Sequence, residues 1–81
     1  MTATTSLELI ADSDPTVLVR IGGLLSTFSI VPACFKAVHR PDGTILISIR
    51  LGDTSEGTAD LLIRKMAQIP QCVDVVRQAN Q

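Results

Sequence analysis

The sequence predicts an α+β sandwich, a four-stranded antiparallel sheet with two helices on one face. Three observations predict it. Two helical apolar patterns are interleaved with four short apolar runs in the order β-α-β-β-α-β. A strong turn signal, Arg40-Pro41-Asp42-Gly43, joins the middle two runs into a hairpin. The 81 residues are 46% hydrophobic, which suffices for the core of one small domain, and no internal segment reads as a linker.

Residues 1–6, rich in Thr and Ala, read as a flexible tail, and residues 7–78 as the single domain. Leu7–Asp12 alternates as a strand, with Leu7, Leu9 and Ala11 on one face. Asp14 then suits an N-cap and Pro15 the first helical position. That helix is expected from Pro15 to about Ser29, with Leu18, Ile21, Leu25 and Phe28 on its apolar face and Val17 and Leu24 widening it. Gly22 falls at the margin of this face, where it would let the helix approach the sheet; Gly23 points roughly the other way.

Pro32 fits the entry to an edge strand, so strand two is placed at Ala33–His39. After the turn, Thr44–Leu51 carries Ile45, Ile47, Ile49 and Leu51 on one face. Asp53 with Glu56 three residues on has capping-box spacing for a second helix. Ala59, Leu62, Ile63 and Met66 form its apolar stripe, and Pro70 lies beyond its end. Cys72–Gln78 reads as the last strand, with Val73 and Val75 on one face and Cys72, Asp74 and Val76 on the other. Right-handed crossovers order the strands 4-1-3-2. This is the ferredoxin-like arrangement, which hosts many functions and decides none of them.

Composition excludes several classes. The formal charge of −1 supplies no basic field for a nucleic acid, and Phe28 and Phe35 are the only aromatic residues available for base stacking. No apolar run approaches the ~20 residues of a membrane span, and the first residues lack the apolar region of a secretory leader. A cytoplasmic protein is expected, with Cys34 and Cys72 as free, buried thiols. His39 is the only histidine, and two cysteines with one histidine do not make a metal site. No nucleophile or acid/base partner for His39 is identifiable, so it reads as a surface residue and no catalytic residue is assigned. Arg64-Lys65 reads as a solvated helix face.

Within the fold, absences narrow the choice. The first loop, "ADSDPT", has no Cys-x-x-Cys for metal carriage and no Arg or Asn for phosphate chemistry. Strands one and three, "LELIAD" and "TILISIRL", carry no aromatic residues for RNA. Three segments together carry a positive signal: "DPTVLVRIGGLLS", "SIVPACFKAV" and "IPQCVDVVRQ". In their order and spacing they resemble the ACT domain family, and within it the small regulatory subunits of acetolactate synthase. Leu18, Arg20, Ile21, Gly23 and Leu24 fall on recurring positions of that family's first helix, and Val73-Asp74-Val75 on its ending. The likeness covers residues 7–78.

The resemblance implies a non-catalytic regulatory subunit that binds and activates a large acetolactate synthase chain in branched-chain amino-acid biosynthesis. Thiamine diphosphate, Mg and FAD would belong to that partner, and none to this chain. It also implies an amino-acid effector site, which maps onto Ser13, Asp14, Thr16, Val17 and Val31. Thr16 stands where the family usually has Gly, and Val31 where it has Asn, so polar or open contacts are missing from that site. For the same "SDPT" stretch a plain helix cap is the simpler explanation, since capping alone accounts for Asp14 and Pro15. A stand-alone amino-acid sensor of the same fold is the alternative function. Strand two, as an exposed sheet edge, is expected to pair with a second copy. Ala33, Phe35 and Ala37, with Gly23 on the helix, are the candidate homodimer contacts.

Overall fold

The computed structural model describes residues 4–52 and 54–80. The elements are β1 (Thr4–Asp12), α1 (Pro15–Thr27), β2 (Cys34–His39), β3 (Thr44–Arg50), α2 (Glu56–Ala67) and β4 (Cys72–Asn80). All strand pairs are antiparallel, and the order β2-β3-β1-β4 is the one the sequence predicts. The chain therefore has the βαββαβ ferredoxin-like fold.

The core forms where the strand and helix periodicities meet. Leu7, Leu9 and Ala11 of β1 lie opposite Ile49, Ile47 and Ile45 of β3, so one face of the two central strands is aliphatic apart from the buried Thr5. Against it α1 buries Val17, Ile21 and Leu25, and α2 buries Ala59, Leu62 and Met66. Each large aliphatic side chain fully buried there contributes about 1.5–3 kcal/mol of transfer free energy. Across the edge of this layer, Arg77 of β4 donates to Glu56 at 2.6 Å and Asp60 at 2.7 Å, tying β4 to the first half of α2.

Several boundaries differ from the sequence reading. β1 begins at Thr4, so residues 4–6 of the expected tail are strand; residues 1–3 lie outside the described residues. The reason is length matching, since Thr5 and Ser6 pair with Ala79 and Gln78 of an equally long β4. Strand two begins at Cys34 rather than Ala33. On α1, Val17 is fully buried and Leu18 is 37% exposed. The stripe is centred on Val17, Ile21 and Leu25, and Leu18 lies to one side of it.

Helix ends were also displaced. α1 stops at Thr27, where Ser29 takes a positive φ of 56°. The Ile30 N–H donates to the Leu25 carbonyl at 2.8 Å and the Ser29 N–H to the Ser26 carbonyl at 3.0 Å. This is the Schellman pattern, here with Ser in the position usually held by Gly. α2 is capped by Ser55, whose hydroxyl accepts the Thr58 N–H at 3.2 Å. Glu56 thus stands at the first helical position, which does not suit the predicted capping box; Asp53 lies outside the described residues.

The last strand contains a feature that period-two alternation does not encode. Ile10 lies opposite Asp74, but Ala11 lies opposite Cys72, so Val73 is the extra residue of a β-bulge. Cys72 and Val75 consequently both pack on the core, while Val73 is 64% exposed. The expected pairing of Val73 with Val75 on one face is corrected by that single inserted residue.

Candidate functional site

The β1–α1 corner is built by local hydrogen bonds. Asp14 is the N-cap of α1, and its Oδ1 accepts the Thr16 N–H at 2.9 Å. The Val17 N–H donates to the Asp14 carbonyl at 3.0 Å, and Pro15 has no N–H to offer. The first turn of the helix is therefore closed by Asp14 alone. Two distant contacts hold the corner in place. The Ser13 N–H donates to the Gly43 carbonyl of the β2–β3 turn at 3.0 Å. Gln71, just before β4, donates from Nε2 to Asp14 Oδ2 at 3.3 Å. The Thr16 backbone bond, then the Gln71 bond, with the nearby Arg20 charge as a smaller influence, hold the Asp14 carboxyl below its ordinary value. Gln71 Oε1 is buried with no partner among the described residues.

The five predicted effector residues do not come together. Ser13, Asp14 and Thr16 share the corner. Val17 is there in sequence, but its side chain is fully buried in the core. Val31 is 89% exposed beyond the other end of α1, about 20 Å away for a helix of 13 residues. Gln71 is the residue of this corner that sequence reasoning missed; nothing local marks it, since the contact spans 57 positions.

β2 is an uncovered edge. All six of its residues are exposed, including Phe35 at 41% and Val38 at 47%. Phe35, Ala37 and His39 lie opposite Ile49, Ile47 and Ile45, on the helix side of the sheet, where neither helix buries them. The bond from the Arg40 N–H to the Thr44 carbonyl sets the hydrogen-bonding phase of the hairpin. By alternation, Phe35, Ala37 and His39 then direct their backbone groups to the free edge. Ala33 precedes the strand and spends its N–H on the Arg50 carbonyl at 2.8 Å.

Gly23 does not join these residues. It lines a groove of about 390 Å³ between α1 and the C-terminal end of α2. Gly22 instead borders a hollow shared with Val31 and Pro32 on the opposite flank. Nothing lies within 4 Å of a Cβ built on either glycine, so Gly22 does not serve close approach to the sheet as expected.

Neither cysteine is in a disulfide. Cys34 is exposed rather than buried, and partial burial pushes the Cys72 thiol up. Among the described residues no group of three or more His, Cys, Asp or Glu side chains is placed to hold a metal. His39 is exposed on the β2 edge. No helix among the described residues is long and apolar enough to cross a membrane.

No family model matches the sequence, and no curated protein matches it. Solved structures do match in shape. The chain is similar to the ACT domain from GTP pyrophosphokinase of Chlorobium tepidum, with a TM-score of 0.80 and 14% identity over 95% of this chain and 100% of that one. It is similar to the C-terminal domain of the MgtC protein from Mycobacterium tuberculosis, with a TM-score of 0.74 and 15% identity over 98% of this chain and 88% of that one. A homoserine dehydrogenase from Thiobacillus denitrificans matches with a TM-score of 0.81 and 21% identity over 98% of this chain, which spans only 17% of that enzyme. At these identities the likeness carries the fold.

Proposed function

We propose that this ACT-fold chain is a non-catalytic regulatory module that works bound to a larger enzyme. In the finer reading it is the activating subunit of acetolactate synthase in branched-chain amino-acid biosynthesis. Thiamine diphosphate, Mg and FAD then reside in the large chain. The observation that carries the preference for partner binding over sensing is the closed β1–α1 corner. Asp14 already takes the Thr16 and Val17 N–H groups. An effector carboxylate arriving at this helix end finds those donors occupied and a carboxylate in its way. Activation in this reading is a coupling of about 1–3 kcal/mol that favours a competent state of the large chain.

The exposed β2 edge fits pairing with a second copy into a continuous sheet, so the module acts as a homodimer in this reading. Co-expression with the large acetolactate synthase chain of the same genome tests it. The expected result is a stable complex with faster acetolactate formation than the large chain alone. A large chain that neither co-purifies nor responds would rule the assignment out.

One observation favours the second reading, an amino-acid sensor. The unpartnered Gln71 Oε1 and the ionised Asp14 are two acceptors at one corner, suited to an ammonium group. A thermal-shift screen against the twenty amino acids separates the two. A melting point raised by valine, leucine or isoleucine, and abolished in Gln71→Leu, selects the sensor.

A further inference from the structure

We propose that the groove between α1 and α2 takes an acidic amphipathic helix from a partner protein. This rests on the reading that the chain works bound to a larger protein, and it names the surface that does the binding. The apolar part of the groove's lining comes from Leu24, Ile69 and Pro70. Arg20 of α1 and Lys65 of α2 stand on its two walls, and no carboxylate lines it. Neither cation makes an ion pair among the described residues. Asp14 lies close enough for Arg20 to act on its charge but is not paired with it. The two carboxylates of α2, Glu56 and Asp60, sit in its first half, where Arg77 engages them, and neither lines the groove.

Gly23 is the second observation. An exposed glycine within a helix lowers stability relative to almost any other residue. Here it neither permits close packing nor takes a positive φ, because nothing lies within 4 Å of a built Cβ. What it does is leave a gap in the α1 wall of the groove, between the side chains of Arg20 and Thr27. The resulting trough is open to solvent rather than enclosed, which suits a helix laid across it better than a small molecule. Apolar lining residues and a cation from each helix together select an acidic amphipathic helix, with its apolar face on Leu24 and Ile69 and its carboxylates against Arg20 and Lys65.

The probe is a designed helical peptide with Leu on one face and Glu on the other, titrated into the ¹⁵N-labelled full chain. A Lys-for-Glu peptide of the same pattern is the control. Expected are saturable shifts at Gly23, Leu24, Thr27, Gln68 and Ile69, weakening as salt rises, with the basic peptide inert. Gly23→Leu fills the trough. It should raise the melting temperature and still weaken binding by about tenfold or more, which separates binding from folding. Arg20→Glu with Lys65→Glu should reverse the peptide preference. Shifts confined to the β2 edge, no saturable shifts, or undiminished binding by Gly23→Leu would overturn the proposal. The same variants in the co-purification assay keep the two claims apart. A large-chain complex that survives all of them removes the groove and leaves the partner reading. Peptide binding at the groove without any large-chain complex removes the acetolactate synthase reading and leaves the groove.

Discussion

The side chain of Gln71 donates to Asp14 across 57 positions of sequence, at 3.3 Å. One bond thereby links the start of α1 to the segment that leads into β4. The same carboxylate caps the helix through the Thr16 N–H, so a local cap and a long-range tie share one group.

That sharing predicts a pH-dependent contribution. Asp14 is held below its ordinary value, so its contribution is present above the unfolded carboxyl value of about 4 and is lost as pH falls through the lower folded value. Asp14→Ala should lower the melting temperature by a few degrees at neutral pH, on the order expected for a lost cap in so small a domain. The deficit should vanish in acid. Asp14→Asn, which still caps, should keep most of the neutral-pH stability and lose the pH dependence; melting curves from about pH 2 to 7 check it.

Ser29 offers a gain. It ends α1 at a φ of 56°, a region that costs a residue with a Cβ roughly 1–2 kcal/mol. Ser29→Gly should therefore stabilise the fold by about 1 kcal/mol, read from the urea midpoint. A midpoint that falls would mean the serine hydroxyl matters more than the backbone.

The bulge in β4 separates two valines that simple alternation would place together. Val73→Ser should change stability by no more than about 0.5 kcal/mol, as for other exposed positions. Val75→Ser should cost about 1–3 kcal/mol, because its side chain packs against the core. Equal costs at both positions would mean a regular strand.

Edge pairing can be broken without touching the hairpin. The Ala37 N–H faces away from β3, so Ala37→Pro removes a donor from the free edge and leaves the β2–β3 ladder in place. Sedimentation should show the wild type as a dimer and the variant as a folded monomer, with unchanged circular dichroism. A variant that stays dimeric places the contact elsewhere.

Much of this could be read in advance. The Asp14-Pro15 cap, the Arg40–Gly43 turn and the aliphatic faces of β1 and β3 depend on residues within a few positions of one another. Their signals survive in a linear string. The candidate site was less legible, because its parts are joined by contacts that no short window contains. The resemblance points to Ser13, Asp14 and Thr16, which do share the corner, but it gives no sign of Gln71 and adds Val31, which lies beyond the other end of α1.

By itself, then, the sequence determined the element order, the sheet topology, the hairpin and the first helix cap. Each follows from periodicity or from hydrogen bonds a few residues long. Tertiary structure alone decided that Val73 bulges out, that Leu18 is left uncovered beside a stripe centred on Val17, and which hollows Gly22 and Gly23 border. These depend on which neighbours arrive from elsewhere in the chain, and where the sheet and helices leave a side chain without one.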